Sequence, residues 1–427
     1  MYCSFERYEK HEEGGSMDKG TRPLAGVKVV EMATFIAVPA AGRFFADMGA
    51  EVIKIESAKG DNLRFTAPSE GRPLDQEENT SFDLENANKK IITLDVRGEK
   101  GKEILWKLLD DADIFLTNWR PGALARQNLT YEDLKARYPR LVFGNVTGYG
   151  EKGPDKDLPG FDYTAFFARG GWSGSLFQKG TVPPNWIPGL GDHQAALALS
   201  AGVLAALNRA KETGKGEKVS VNLLHASIYM QSMLIQASQY GEEYGGQAYP
   251  FDRRLNANPW LPCAKTADDR FIQICTPVYD AYYKKVVTAI GREDLADDPV
   301  FSSNAEMNKQ GRTPEMYDIF QKAMAEKTAA EWKGILTEAD VPFSICQTWD
   351  EVLKDEQAWA TDCFYEMEYP KSKKVLVRTP IDLEDTPLPE YKRPPMMGKG
   401  TKEVLKGLGY DDAAIEELAD EGVVGVA

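Results

Sequence analysis

One carboxylate in this sequence stands where it could act as a nucleophile. Asp192 lies in the segment Asn185 to Gln194, NWIPGLGDHQ, where Pro188, Gly189 and Gly191 break the chain just before an apolar helical run from Ala195 to Leu207. Two readings are open. As an N-cap, the carboxylate accepts hydrogen bonds from the open N–H groups of the first helical turn. As a functional group, it is held ionised by those same N–H groups and the helix dipole, beside glycines that let a substrate approach the backbone. An ionised, approachable carboxylate is a nucleophile.

The other reactive residue types offer less. His193 follows Asp192, but adjacent residues at a helix start point in different directions and a carboxylate needs no base at neutral pH, so His193 reads as a pocket wall or a helix-start residue. His225 falls on an apolar helix and reads as a satisfied core residue. Three histidines with no spaced cluster give no metal site. Five scattered cysteines (Cys3, Cys263, Cys275, Cys346, Cys363) with no C-x-x-C suit a reducing compartment and read as packing residues. A net charge of -15, from 66 acidic against 51 basic residues, argues against a nucleic-acid partner. No apolar run reaches bilayer-spanning length and no signal pattern opens the chain, so a soluble, cytoplasmic protein is expected. Residues 1–22 are polar and are expected to be a disordered extension.

The elements that must position Asp192 begin at Val27. The strand VKVVE, the small-residue helix PAAGRFFADMG and the strand EVIKIE form a βαβ unit, hence parallel strands with a right-handed crossover. The strand IITLD, a helix over Glu99 to Asp110, the strand IFLTN, a helix near Tyr131 to Tyr138 and the strand LVFGNVTGYG continue the rhythm, which predicts an α/β, doubly wound, Rossmann-like parallel sheet. A dinucleotide site with Glu56 on the ribose would need G-x-G-x-x-G in the first βα turn. That turn reads ATFIAVPAAG, so no NAD is expected.

Beyond Gly150 a long loop dense in Gly, Pro and aromatics carries Phe161, Tyr163, Phe166, Phe167 and Trp172, which either pack over the sheet or line an apolar substrate pocket. LPCAKTADDRFIQICTP reads as a hairpin turning at Asp268 and Asp269, followed by helices over Tyr279–Ile290, Pro314–Lys327 and Ala329–Ala339. The expected organisation is a large domain over residues 23–240, a smaller α+β domain over 241–340, and a segment over 341–427 that completes the large domain. In this reading the strand FSICQTW starts the return and TKEVLKGLG forms a last helix.

Several separate blocks, in order and spacing, resemble the class III (CaiB/BaiF-like) CoA-transferases: LAGVKVVEMATFIAVPAAGRFFADMGAEVIKIES, LDVRGEKGKEIL, NWRPGALAR, the GLGDHQ segment, TGKGEKVSV and GTKEVLKGLGY…EGVV. GYGEKGPDKDLPGFDYTAFFARGG and the TAPSEGRPL…QEENT…DLENANKK run are most similar to the branch that moves CoA from an enoyl-CoA such as cinnamoyl-CoA to an (R)-2-hydroxy acid such as phenyllactate. The resemblance implies coenzyme A or acyl-CoA as substrate, an interlocked homodimer and a 2-hydroxyacyl-CoA dehydratase as a further protein partner. It implies Asp192 as the catalytic aspartate, acting through an aspartyl anhydride and an aspartyl-CoA thioester, and CoA contacts at Leu94, Asp95, Arg97, Asn118, Trp119, Arg120 and Arg126. Read without it, Leu94 closes a strand and the arginines are solvated charges. Ile36 stands where formyl-CoA transferases carry glutamine, and their tetraglycine loop is absent near Asn256 to Pro262, which points to a more apolar acid. Phe161 stands where α-methylacyl-CoA racemases carry a histidine before the aspartate matching Asp162, which removes the base that reading needs. A non-catalytic CoA-binding subunit of the dehydratase is the alternative from another class.

Overall fold

The computed structural model describes residues 22–240, 249–387 and 389–427; the expected extension over 1–22 therefore lies, Arg22 apart, outside the described residues, as does the expected boundary at 241. Strands β1 (Lys28–Met32), β2 (Glu51–Glu56), β3 (Lys90–Leu94), β4 (Ile114–Thr117), β5 (Val142–Thr147) and β6 (Lys218–Asn222) share one sheet with a closing strand, Val424–Gly425. The spatial order is closing strand, β3, β2, β1, β4, β5, β6. β1 runs parallel to β2 (Val29 opposite Val52) and to β4 (Val30 opposite Phe115), and β4 runs parallel to β5 (Phe115 opposite Phe143). β-branched and aromatic residues buried on both faces are what a sheet covered by helices on each side requires. The closing strand pairs antiparallel with β3, Val424 opposite Leu94.

Two compact units divide the described residues, one within the spans 1–145, 199–219 and 363–427, the other within the spans 146–198 and 220–362. The expected boundary at 340 falls inside the second unit. In the second unit β7 (Ala264–Lys265), β8 (Phe271–Ile274) and β9 (Phe343–Ile345) form a small antiparallel sheet, with Asp269 in the left-handed region at the β7–β8 turn. This corrects one expectation. The strand within FSICQTW stays on β8, Ile345 opposite Ile272, because its alternate apolar residues complete the cluster of Trp260, Tyr283, Phe320 and Trp332; the return begins instead at Cys363. The helices Tyr279–Ala289, Thr313–Met324 and Ala329–Glu338 form where expected, the last started by a capping box between Thr328 and Glu331. In the first unit the hairpin β10 (Phe364–Glu368) and β11 (Lys373–Val377) precedes the helix Thr401–Gly407.

The helix carrying Asp192 runs over Leu190–Thr213. It is 24 residues long and an 18-residue window of it has a mean hydropathy of 1.2, so by length and composition it could cross a bilayer, which corrects the expectation that no such run exists. One face of it packs on the sheet: Leu199 and Val203 press on Gly144, and a Cβ at Gly202 would meet Val219 at 2.6 Å. Two of the cysteines depart from the packing role expected of them. Cys275 and Cys363 are exposed, Cys263 and Cys346 are half-buried with sulfurs 3.9 Å apart, and Cys3 lies outside the described residues.

Candidate active site

Asp192 sits in the first turn of its helix and not at the N-cap, since the helix starts at Leu190, five residues before the apolar run that marks it in the sequence. The first intrahelical bond runs from the His193 N–H to the Gly189 carbonyl at 2.8 Å. Gly189 has a φ of 82°, which only glycine adopts without strain. The capping role belongs to another residue. Asp162 Oδ1 accepts the Gly191 N–H at 3.1 Å, and the Gly189 N–H also points to this carboxylate. Gly191 is needed for that approach: a Cβ there would stand 2.3 Å from Asp162 Oδ1 and 2.4 Å from the Phe166 ring. The glycine thus admits a carboxylate and a phenyl ring of the protein itself.

Asp162 opens a π-helical stretch, Asp162–Ala168, marked by the wide bond from the Arg169 N–H to the Thr164 carbonyl. Its side chain is buried, and among the described residues Oδ2 has no hydrogen-bond partner. Burial pushes the carboxyl up to about 6, against the opposing pull of the Gly189 and Gly191 N–H groups and of His193. Next to it, the Tyr163 hydroxyl donates to the Trp186 carbonyl at 2.9 Å. The Trp186 indole stacks on Phe167 at 4.9 Å and 5° and donates to Ser173 Oγ at 2.8 Å. The loop aromatics therefore divide between the two expected fates. Phe166 and Phe167 are buried, while Phe161 and Tyr163 are 53% and 48% exposed beside the turn. His193 is exposed on the turn, and His225 is exposed too, which corrects its reading as a core residue.

The expected CoA contacts all lie in the first unit, at or beyond the C-terminal ends of β3 and β4. Leu94 is buried at the end of β3; Asp95 binds Arg97 through two side-chain bonds of 2.8 and 2.7 Å, which leaves the guanidinium largely exposed. Asn118, just past β4, exchanges two bonds with the first βα turn, accepting the Thr34 N–H at 3.1 Å and donating to the Thr34 carbonyl at 2.7 Å. Trp119 is half-buried against the hydrophobic core, and Arg120 and Arg126 are exposed at either end of the short helix Pro121–Arg126. β1 and β4 are adjacent but their chains leave in opposite directions, so the Thr34 and Asn118 loops flank the topological switch point, where open α/β sheets bind ligands. β3 is three strands from β4, roughly 14 Å away. The residues thus share one edge of the sheet without forming one cluster.

Glu56 is not available for a ribose: it is buried against the Arg64 Nε at 3.0 Å. Ile36 is half-buried next to Phe35, whose φ of 64° is held by the Phe35 N–H bond to Asp61 Oδ1 at 2.9 Å. Among the described residues no group of three or more His, Cys, Asp and Glu could hold a metal ion. The sequence gives no local signal for the partnership of Asp162 with Gly191, which spans 29 positions.

Comparison with known proteins places these features. The family model described as CoA-transferase family III matches residues 24–401. The chain is 56% identical over 403 residues to the cinnamoyl-CoA:phenyllactate CoA-transferase of Clostridium sporogenes, covering 94% of this chain and 97% of that protein. It is 44% identical over 402 residues to the (R)-2-hydroxy-4-methylpentanoate CoA-transferase of Clostridioides difficile, covering 94% and 99%. Among solved structures, a CaiB/BaiF family protein from Brucella suis superposes with a TM-score of 0.74 at 26% identity, covering 91% of this chain and all of that one. The orthorhombic form of a Mycobacterium tuberculosis protein gives 0.76 at 26% identity, covering 89% and 98%.

Proposed function

The chain belongs to CoA-transferase family III, and from that premise we propose that it moves CoA from an enoyl-CoA such as cinnamoyl-CoA to an (R)-2-hydroxy acid such as phenyllactate, with Asp192 as the nucleophile. The observation that carries the substrate class is the 56% identity to a cinnamoyl-CoA:phenyllactate CoA-transferase across 94% of the chain. The position of Asp192 in the first turn of a helix, beside Gly189 and Gly191, supports its role.

In the proposed reaction the Asp192 carboxylate attacks the thioester carbonyl, forming a mixed anhydride and releasing CoA thiolate. The thiolate attacks the aspartyl carbonyl of that anhydride, which frees the enoate and leaves an aspartyl-CoA thioester. The acceptor carboxylate attacks this thioester, giving a second anhydride and thiolate again. The thiolate then takes the hydroxyacyl group and Asp192 is regenerated. No electron changes hands and no proton need move, so neither a base nor a metal is called for. Water would hydrolyse each intermediate, so transfer requires a site closed to solvent while the acyl group is on the enzyme.

The CoA moiety is assigned to Leu94, Asp95, Arg97, Asn118, Trp119, Arg120 and Arg126, where guanidinium groups suit phosphates and Trp119 suits an adenine face. The same reading makes the working enzyme a cytoplasmic homodimer with interlocked chains, supplying a 2-hydroxyacyl-CoA dehydratase. The exposed Phe161, in the position of the racemase base, offers no proton acceptor, which favours transfer over racemisation. The test is a transfer assay on the isolated chain with cinnamoyl-CoA and (R)-phenyllactate. Phenyllactyl-CoA formed without added protein supports the reading; a chain that binds CoA without turnover would make it a binding subunit.

A further inference from the structure

Asp192 can attack reproducibly only if the first turn of its helix is held still, and a helix leaves its first N–H groups unpaired. Here two consecutive residues of the π-helical stretch grip both ends of the preceding segment. The Tyr163 hydroxyl reaches the Trp186 carbonyl at 2.9 Å, and Asp162 Oδ1 reaches the Gly191 N–H at 3.1 Å. Asp162 is braced in turn. Phe166, one turn further on, lies against Gly191 and has its carbonyl bonded by Ser227 Oγ at 2.8 Å.

We propose that Asp162 is a positioning residue for the transfer reaction: its ionised carboxylate grips the Gly189–Gly191 backbone and fixes the turn from which Asp192 attacks. The inference rests on Asp192 being the nucleophile. Hydrogen bonds from backbone N–H groups to a carboxylate are roughly twice as strong as neutral ones, so the grip depends on the charge of Asp162. The helix Leu190–Thr213 brings His193 and Asp192 to this turn, the π-helical stretch brings Tyr163, and the helix Leu223–Met230 with the following residue brings Ser227 and Gln231, neither of them ionisable. His193 acts on Asp162 through its charge. The carboxyl takes up its proton at about 6, so the grip loosens as the pH falls through that value. A displacement of about 1 Å at a reacting group costs on the order of 100-fold in rate.

The test is kcat and KM from pH 5 to 8 for the wild type, Asp162→Asn and His193→Gln, with mass spectrometry of the hydroxylamine-trapped Asp192 peptide at each pH. The wild type is expected to lose kcat along an acid limb centred near 6, with KM steady. His193→Gln keeps a limb, moved toward higher pH because the His193 charge no longer pulls the carboxyl down. Asp162→Asn runs roughly 10- to 100-fold slower at neutral pH and shows no limb. A purely structural role would lower the melting temperature of Asp162→Asn and leave the limb in place. The inference is overturned if wild-type kcat is flat through this range, a result that needs no variant to fold, or if Asp162→Asn retains wild-type kcat. Absence of any Asp192 adduct in the wild type would instead remove the nucleophile reading itself; an adduct whose yield ignores pH removes only the positioning role.

Discussion

Among the described residues two carboxylates are buried beside glycine-permitted backbone, and their surroundings differ in kind. In the first unit Glu31 is fully buried, with one oxygen on the Lys54 Nζ at 2.9 Å and the other on the Lys89 Nζ at 2.7 Å. Lys54 also donates to the Ala33 carbonyl at 2.7 Å and faces Asp61, while Lys89 donates to the Pro39 carbonyl and Asn86. A Cβ at Gly42 would fall on Glu31 itself. Burial alone would pull Lys54 down, but Glu31 and Asp61 raise it; burial wins at Lys89, which falls to about 8. In the second unit Asp162 meets, among the described residues, backbone N–H groups and no fixed cation in bonding contact, and one of its oxygens has no partner there. The first arrangement locks charges in place and holds the strained Phe35 turn at the sheet edge through Asp61. The second keeps a carboxyl near its point of titration. The contrast separates scaffold from a group poised to respond.

That contrast can be broken at either end. Glu31→Ala leaves the buried Lys89 ammonium without a carboxylate and Lys54 with Asp61 alone, and is expected to cost about 3–5 kcal/mol of unfolding free energy, read by urea denaturation. A loss under about 1 kcal/mol would mean that the network carries no structural weight. Asp162 should behave in the opposite sense. Its folded carboxyl titrates at about 6 and its unfolded one near 3.9, so folding takes up a proton between those values. Relative to Asp162→Asn, the wild type should therefore gain stability as the pH falls from about 6 to about 4, by on the order of 2–3 kcal/mol, and be penalised above that window. Denaturation midpoints of the two proteins at pH 4.5 and 7.5 decide the sign. The smallest effect belongs to Tyr163→Phe, which deletes one hydrogen bond to Trp186. It should lower stability by about 0.5–1.5 kcal/mol and transfer rate only a few-fold, as measured by thermal melts and turnover.

What could be read from the residues alone follows from how local the signal is. β-branched runs alternating with small-residue and amphipathic helices gave the parallel sheet, and Pro188, Gly189 and Gly191 ahead of an apolar run marked the turn of Asp192. Partners far along the chain left no such trace. The closing strand is two residues, Val424 and Gly425, too short for any periodicity. β9 chooses β8 over the large sheet because of a cluster assembled from residues 260–345. The helix starts ahead of the apolar run because Gly191, Asp192, His193 and Gln194 interrupt the apolar pattern while their backbone is already helical. Asp162 could be seen only as a residue beside Phe161, since its role lies in amides 27 and 29 positions away. The bonds of Asn118 to Thr34, 84 positions away, close the first βα turn and likewise leave no local pattern.

The central claim is that Asp192 becomes covalently acylated during transfer. Wild-type protein incubated with cinnamoyl-CoA and then hydroxylamine, digested and analysed by mass spectrometry beside Asp192→Ala, tests it in one experiment. The account predicts a hydroxamate confined to the peptide containing Asp192, absent from the variant, whose transfer rate falls by roughly 1,000-fold or more. An unmodified Asp192 peptide together with unimpaired transfer by Asp192→Ala would contradict it.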